Sequence, residues 1–317
     1  MKKLLISIIL IVLLFLIGSP THANSTTILY FPMLYGDRSD GLGLHIEMGG
    51  GPGNAVALAE LQVEVVRTFF ANDQGLNIYQ VYLSGGWSAV DTMVLPDINS
   101  IKTYSEPLIS FTYGGLCKVP TNAQLNQYAI FLSAFVVRYN ITYFEGWNEV
   151  DTKGGIPSML GCFGDQNISK LIYLIQKIRE TLPAGKMLGV SFAMTEPADF
   201  IMYTAIVPYL DWVAVHHYGV WSNGVVLEPY PGTLSDLYNL VAPQDIPIWL
   251  TEVNLRDPAD ICSVAFRQAQ MEYNRGALET EFERKIILVF AGGNNWQCTG
   301  IKDSLTHEML KFPQGWW

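Results

Sequence analysis

From residue 42 onward, short runs of almost unbroken apolar residues alternate with longer stretches in which apolar residues recur every three or four positions. An apolar run of five or six residues fits a strand covered on both faces, and the wider spacing fits a helix with one buried stripe. The pattern predicts eight strands, over residues 42–47, 63–69, 107–112, 142–147, 187–192, 212–216, 246–251 and 285–290. It predicts helices between and after them, over 54–61, 89–102, 122–139, 168–182, 200–207, 234–240, 261–282 and 304–311. Thr121-Asn122, placed ahead of Leu125, Tyr128, Ala129, Leu132 and Phe135, marks one helix start. Pro183-Ala184-Gly185 stops the helix that carries Ile172, Ile175 and Ile178. Residues 24–40 fit neither pattern.

Eight strand and helix pairs in one chain point to an α/β fold of the (β/α)8 TIM-barrel type, a single domain of ordinary length for that architecture. The competing architecture is a doubly wound open sheet. Nothing in the sequence favours it, because Gly49-Gly50-Gly51-Pro52-Gly53 after the first strand contains a proline and lacks the glycine spacing of a dinucleotide cradle.

Residues ahead of the barrel read as transport information. Lys2 and Lys3 precede an apolar run over 4–17, then Gly18-Ser19-Pro20 and the small-residue site Thr21-His22-Ala23. The run is shorter than the roughly 20 residues of a membrane-spanning helix, so we expect a signal peptide over 1–23, cleaved after Ala23. The mature barrel, 24–317, is then secreted or periplasmic, with no stable membrane insertion. The net charge of −10 has no Lys/Arg cluster set against it, which excludes nucleic acid as an expected partner. Cys117, Cys162, Cys262 and Cys298 form an even set without close pairs, so two disulfides are expected. Neighbouring barrel loops pair Cys117 with Cys162 and Cys262 with Cys298. The five histidines suggest no metal site, and no cofactor is expected.

In a barrel the site lies where the strands end, and the residues there form a coherent set. Arg67 nearly closes the second strand, Asn148 and Glu149 follow the fourth, His216 and Tyr218 the sixth, Glu252 the seventh and Trp296 the eighth. Two carboxyl groups facing one bond can divide acid and nucleophile roles, which is the chemistry of glycoside cleavage. An acid must hold its proton, which apolar walls such as Trp147 favour; a nucleophile must stay ionised, which a nearby Arg67 favours. Trp87, Trp147, Trp221 and Trp296 are candidate sugar platforms, because sugar C–H faces pack on indole rings, with loop packing an equal alternative for Trp87 and Trp221. Trp212 and Trp249 lie inside strands and are expected in the core.

Three segments resemble the glycoside hydrolases of clan A, and most of all glycoside hydrolase family 39, the β-xylosidases and α-L-iduronidases. Phe144-Glu145-Gly146-Trp147-Asn148-Glu149 looks like the family's fourth-strand motif, His216-His217-Tyr218 its sixth-strand motif, and Leu250-Thr251-Glu252-Val253-Asn254 its seventh-strand nucleophile motif. The resemblance implies a retaining glycosidase acting on a β-linked poly- or oligosaccharide. Glu149 would be the general acid/base, Glu252 the nucleophile and Asn148 the partner of the sugar 2-hydroxyl. Arg67 and Tyr218 would orient Glu252, and Trp296 would carry the sugar. The pattern departs at Val150-Asp151, where the family has Pro-Asn, and the family's β-sandwich is not expected after the barrel. A non-catalytic carbohydrate-binding barrel and an envelope-anchored scaffold protein are the competing functions.

Overall fold

In the computed structural model of the chain, the described residues are 42–47, 64–70, 76–113, 120–151, 167–193, 200–227, 233–256, 263, 265–266, 268–270, 272–273 and 286–289. The expected signal peptide, all four cysteines, Trp296 and the helices expected over 54–61 and 304–311 lie outside them. Among the described residues, no helix is long and apolar enough to cross a membrane.

Among the described residues, eight parallel strands form the main ladder of the sheet. They are β1 (Leu42–Glu47), β2 (Val65–Phe69), β3 (Glu106–Ser110), β4 (Tyr143–Glu145), β5 (Met187–Gly189 and Ser191–Phe192, interrupted only at Val190), β6 (Val213–Ser222), β7 (Ile248–Arg256) and β8 (Ile286–Val289). The ladder runs from the first half of β5 through β4, β3, β2, β1, β8, β7 and β6 to the second half of β5. A path that leaves a strand on one side and returns to it on the other is a ring. The Ala214 N–H, which donates to the Val190 carbonyl at 3.1 Å, supports the same seam. The expected barrel is the observed fold, and the open sheet is excluded.

Among the described residues, helices run as α1 (Ile78–Tyr104), α2 (Asn122–Arg138), α3 (Ile168–Thr181), α4 (Phe200–Ile206) and α5 (Thr233–Val241). Thr121 caps α2 as expected, in a capping box with Gln124. The start of α1 falls earlier than the expected residue 89, because Asn77 and Gln80 form a second capping box at 3.0 and 3.1 Å. Each such cap stabilises by roughly 1 kcal/mol. Gly86, at φ 64°, then bends the helix before the apolar stripe of Val90, Val94, Ile98 and Ile101.

Alternation along the strands sorts the residues into layers. Val66, Ile109, Phe144, Leu188, Val213 and Val215 face outward, into the core shared with the helices. Val65, Leu108, Trp212, Ala214 and Trp249 pack with one another and with Tyr143 and Met187. Tyr143 and Trp249 touch at 4.9 Å although β4 and β7 are not neighbours in the ring, which places this layer inside the barrel. Trp212 and Trp249, whose rings stack at 4.5 Å, therefore fill the barrel interior, on the N-terminal side of the polar residues described below. Gly189 makes room for them, since a Cβ there would lie 2.5 Å from the Trp212 ring. Gly189→Ala is expected to lose about 1–3 kcal/mol of stability, measured by urea unfolding. An unchanged midpoint would mean that the ring has room to move.

Strands β6 and β7 run longer than the expected 212–216 and 246–251. They continue to pair past the barrel rim, from His217 opposite Val253 to Val220 opposite Arg256. The short strand Val225–Leu227 folds back antiparallel on the end of β6. Trp221 and Val226 on this ribbon pack with Leu255 and Phe266, an apolar cluster separate from the barrel core. The sequence hides this extension because polar residues interrupt its apolar alternation.

Candidate active site

One layer above Val65, Leu108 and Tyr143, the next inward positions on the same strands are Arg67, Ser110 and Glu145. Arg67 is fully buried and reaches side chains on four other strands, Ser110, Glu145, His216 and Glu252. Its Nε and Nη2 donate to the two oxygens of Glu145 at 2.9 and 2.6 Å, and its Nη1 donates to Glu252 Oε1 at 2.5 Å. Nη2 also donates to Asn148 Oδ1 at 2.8 Å. Burial opposes a charged guanidinium, but the Glu145 and Glu252 carboxylates outweigh that and hold the Arg67 pKa above its ordinary value.

Glu252 faces inward because of a bulge. Trp249 points into the barrel and Leu250 out of it, so strict alternation would turn Glu252 toward the helices. The register steps between Val215 opposite Leu250 and His216 opposite Glu252, and again between Ile286 opposite Leu250 and Leu288 opposite Val253. Both neighbours thus record one extra residue in β7, and Glu252 takes the inward place. Its Oε2 accepts from the Tyr218 hydroxyl at 2.8 Å. Burial first, and then the Glu252 carboxylate, push the Tyr218 phenol well above its ordinary 10, which keeps it a donor.

Glu149 arrives from a different backbone state. Past the end of β4, the Asn148 N–H donates to the Phe111 carbonyl and the Val150 N–H to the Ser191 carbonyl. Between them Glu149 adopts φ 50°, a left-handed conformation uncommon outside glycine, with its N–H donating to Ser191 Oγ at 2.9 Å. Asp151, where the resemblance expects asparagine, fastens the turn. Its Oδ1 accepts from the Ala193 N–H at 2.7 Å and its Oδ2 from the Tyr203 hydroxyl at 2.8 Å. Ser191 Oγ also donates to Asn148 Oδ1 at 3.1 Å. Since Arg67 can only donate, the Asn148 amide oxygen is held toward it and the amide's orientation is fixed.

His216 links the two carboxyl groups. Its Nδ1 lies 2.7 Å from Glu149 Oε1 and 3.4 Å from Glu252 Oε2, and its Nε2 lies 3.2 Å from Arg67 Nη2. A guanidinium offers no lone pair, so Nε2 accepts and the proton sits on Nδ1, donated to Glu149. Burial works against a charged ring, yet the Glu252 and Glu149 carboxylates hold the His216 pKa above its ordinary value. A second N–H at Nε2 would meet a pure donor, so the neutral Nδ1–H form is the one this contact holds. One atom each from Glu149, His216 and Glu252 lie within 4.8 Å of one another.

Six of the eight residues expected in the site converge: Arg67, Asn148, Glu149, His216, Tyr218 and Glu252. The other two are Trp147 and Trp296. Trp147 is only 4% exposed, parallel to Tyr113 with ring centroids 6.0 Å apart and edge-on to Tyr128, so it walls the turn instead of offering an open face. His216, at the end of the sixth expected strand, is turned onto Glu149. Trp296 lies outside the described residues. Trp87 packs on Phe131 and Tyr82 in the helical layer, and Trp221 packs on Phe266. Glu145, Ser110, Ser191 and Asp151 were not anticipated. For Glu145 a signal was present, a lone carboxylate two residues beyond Tyr143 and so on the same strand face.

Burial pushes the Glu145 carboxyl up, while the Arg67 charge and hydrogen bonds, with help from Ser110, hold it below its ordinary 4.5. A carboxyl lowered by folding adds stability above its unfolded value and loses it as the pH falls toward the folded one. Stability to urea is therefore expected to decline below about pH 4.5. Ser110→Ala removes the donor 2.6 Å from Glu145 Oε2 and should move that acid limb upward in pH. A limb that stays in place would show that Ser110 does not hold the carboxylate.

No protein-family model and no curated protein sequence matches the chain. Solved structures do match, at low identity. Xylanase B from Clostridium stercorarium F9 aligns at 15% identity and TM-score 0.55, covering 83% of this chain and 86% of that one. An endo-1,4-β-xylanase from Penicillium canescens aligns at 11% and 0.55, covering 80% and 84%. A fungal β-1,4-galactanase aligns at 13% and 0.50, covering 79% and 86%. At these identities the likeness establishes the shared (β/α)8 fold.

Proposed function

We propose that the chain is a retaining glycoside hydrolase of clan A, of the family 39 type, exported with cleavage after Ala23 and acting on a β-linked poly- or oligosaccharide. The observation that carries this reading is the pairing of Glu149 and Glu252 across one small space, with different furnishings. Their ligand oxygens lie within 4.8 Å of each other. Retaining enzymes hold the two carboxyl groups about 5–5.5 Å apart, and inverting enzymes leave a wider gap for water. Glu252 receives Arg67 and Tyr218, donors that favour its carboxylate. Glu149 sits at 15% side-chain exposure and can reach a leaving group at the mouth. The β-linkage is supported by the xylanases and galactanase that share the fold.

In the first step a Glu252 oxygen attacks the anomeric carbon as the bond to the leaving oxygen breaks, and the Glu149 proton passes to that oxygen. In the second step Glu149 takes a proton from water, the water oxygen attacks the same carbon, and Glu252 leaves as a carboxylate. The Asn148 amide, with its oxygen taken by Arg67, presents its nitrogen to the sugar 2-hydroxyl. The test is hydrolysis of aryl glycosides and polysaccharides by residues 24–317, with the first-formed anomer read by proton NMR. Retained configuration is expected. An inverted product, or sugar binding without hydrolysis across the panel, overturns the proposal.

A further inference from the structure

The proposed steps use Glu252, Glu149 and Asn148 but leave Glu145 unexplained, although this carboxylate is fully buried in the same layer. The geometry points to Glu145 as a positioning residue: gripping Arg67 by two donors, it divides the guanidinium between two carboxylates and so sets how basic Glu252 remains. This inference rests on the reading of Glu252 as nucleophile.

The fork of Arg67 has two usable edges. Its Nε/Nη2 edge lies side-on to Glu145, and its Nη1 end is left for Glu252. Arg67 and Glu145 have no solvent exposure, so little water screens this arrangement. With Glu145 ionised, the pair is close to neutral as seen from Glu252. Without that charge, the whole guanidinium would act on Glu252, giving a carboxylate that is better stabilised, a weaker attacker and a better leaving group. Ser110 Oγ, 2.6 Å from Glu145 Oε2, favours the ionised form, and Glu145 is held below its ordinary value. The other described groups facing Glu252 are Tyr218 and His216 from β6 and Glu149 from the turn after β4. None of them grips Arg67 as Glu145 does.

The test titrates the folded chain by NMR with carboxyl-labelled glutamate, Glu252 being assigned by its loss in Glu252→Gln. Glu145→Gln is expected to lower the Glu252 midpoint by about one pH unit or more. The His216 midpoint should fall with it, since the Glu145 charge also acts on that ring. Glu145→Asp, which keeps the charge, should return Glu252 toward its wild-type midpoint. A folded Glu145→Gln chain with an unmoved Glu252 midpoint overturns the inference. Should that variant not fold, the guanidinium nitrogen resonances of Arg67 in the unaltered chain decide. Two titration steps support a shared guanidinium, and a single step following Glu252 overturns it. None of these readouts needs a substrate. Labelling by a fluorinated glycoside inactivator tests separately whether Glu252 is the nucleophile.

Discussion

Glu252→Ala is expected to abolish turnover and to become rescuable by azide, which enters the vacated space and yields a glycosyl azide of inverted configuration. Glu149→Ala is expected to behave differently, because the two groups act in different steps. On substrates whose leaving group needs protonation, it should lose about 100- to 10,000-fold. On activated aryl glycosides it should still form the covalent intermediate, and azide should then give a product of retained configuration. Product NMR and rates with and without azide check both. Variants that keep full activity on the natural polymer, or that exchange these signatures, would reassign the residues.

The second large effect concerns stability. Arg67→Met strips the guanidinium from Glu145, a carboxylate at 0% exposure, and from Glu252. Breaking a buried pair by removing one partner costs about 3–5 kcal/mol, because the remaining charge is left uncompensated. Glu145 in this variant is pushed up by burial with only Ser110 and His216 left to oppose it, so its folded value is expected to exceed its unfolded value. The loss should therefore shrink as the pH falls through that raised value. Arg67→Met combined with Glu145→Gln should recover part of the loss, since no unpaired charge is then buried. Urea unfolding of the single and double variants at two pH values measures this. Simple additivity would mean that the two residues do not act as a pair.

Much of this was legible before the fold was known, for physical reasons that differ by element. Apolar runs mark strands because both faces of a barrel strand are covered, and all eight strand positions emerge on that ground alone, six of them within a few residues at both ends. The ends of β6 and β7 do not, because their rim extension alternates polar and apolar residues as loops also do. The start of α1 was missed although Asn77 and Gln80 are a readable cap, since Gly85-Gly86 suggests a break and not a bend. Glu149 and Glu252 were legible as strand-end carboxylates. Glu145 was not, because a charge inside a three-residue strand acquires meaning only once Arg67, 78 positions away, lies against it. The Trp147 ring lies against Tyr113 and Tyr128 for the same kind of reason: contact partners distant in sequence decide which way a ring turns.

The extra residue in β7 makes the placement of Glu252 a matter of parity. An even count from Trp249 returns a side chain to the interior; Glu252 stands at an odd count, and only the bulge corrects it. An unbroken ladder that kept Thr251 would aim the Glu252 carboxylate at the helical layer. Removing Thr251 would restore an unbroken ladder and leave Glu252, then at an even count, facing the interior. In a sheet with a free edge, such a one-residue slip could run out at the margin. A ring has no margin, so the step is held between two partners at one level. The reach of Glu252 is thus written in backbone arithmetic, and no choice of rotamer could supply it.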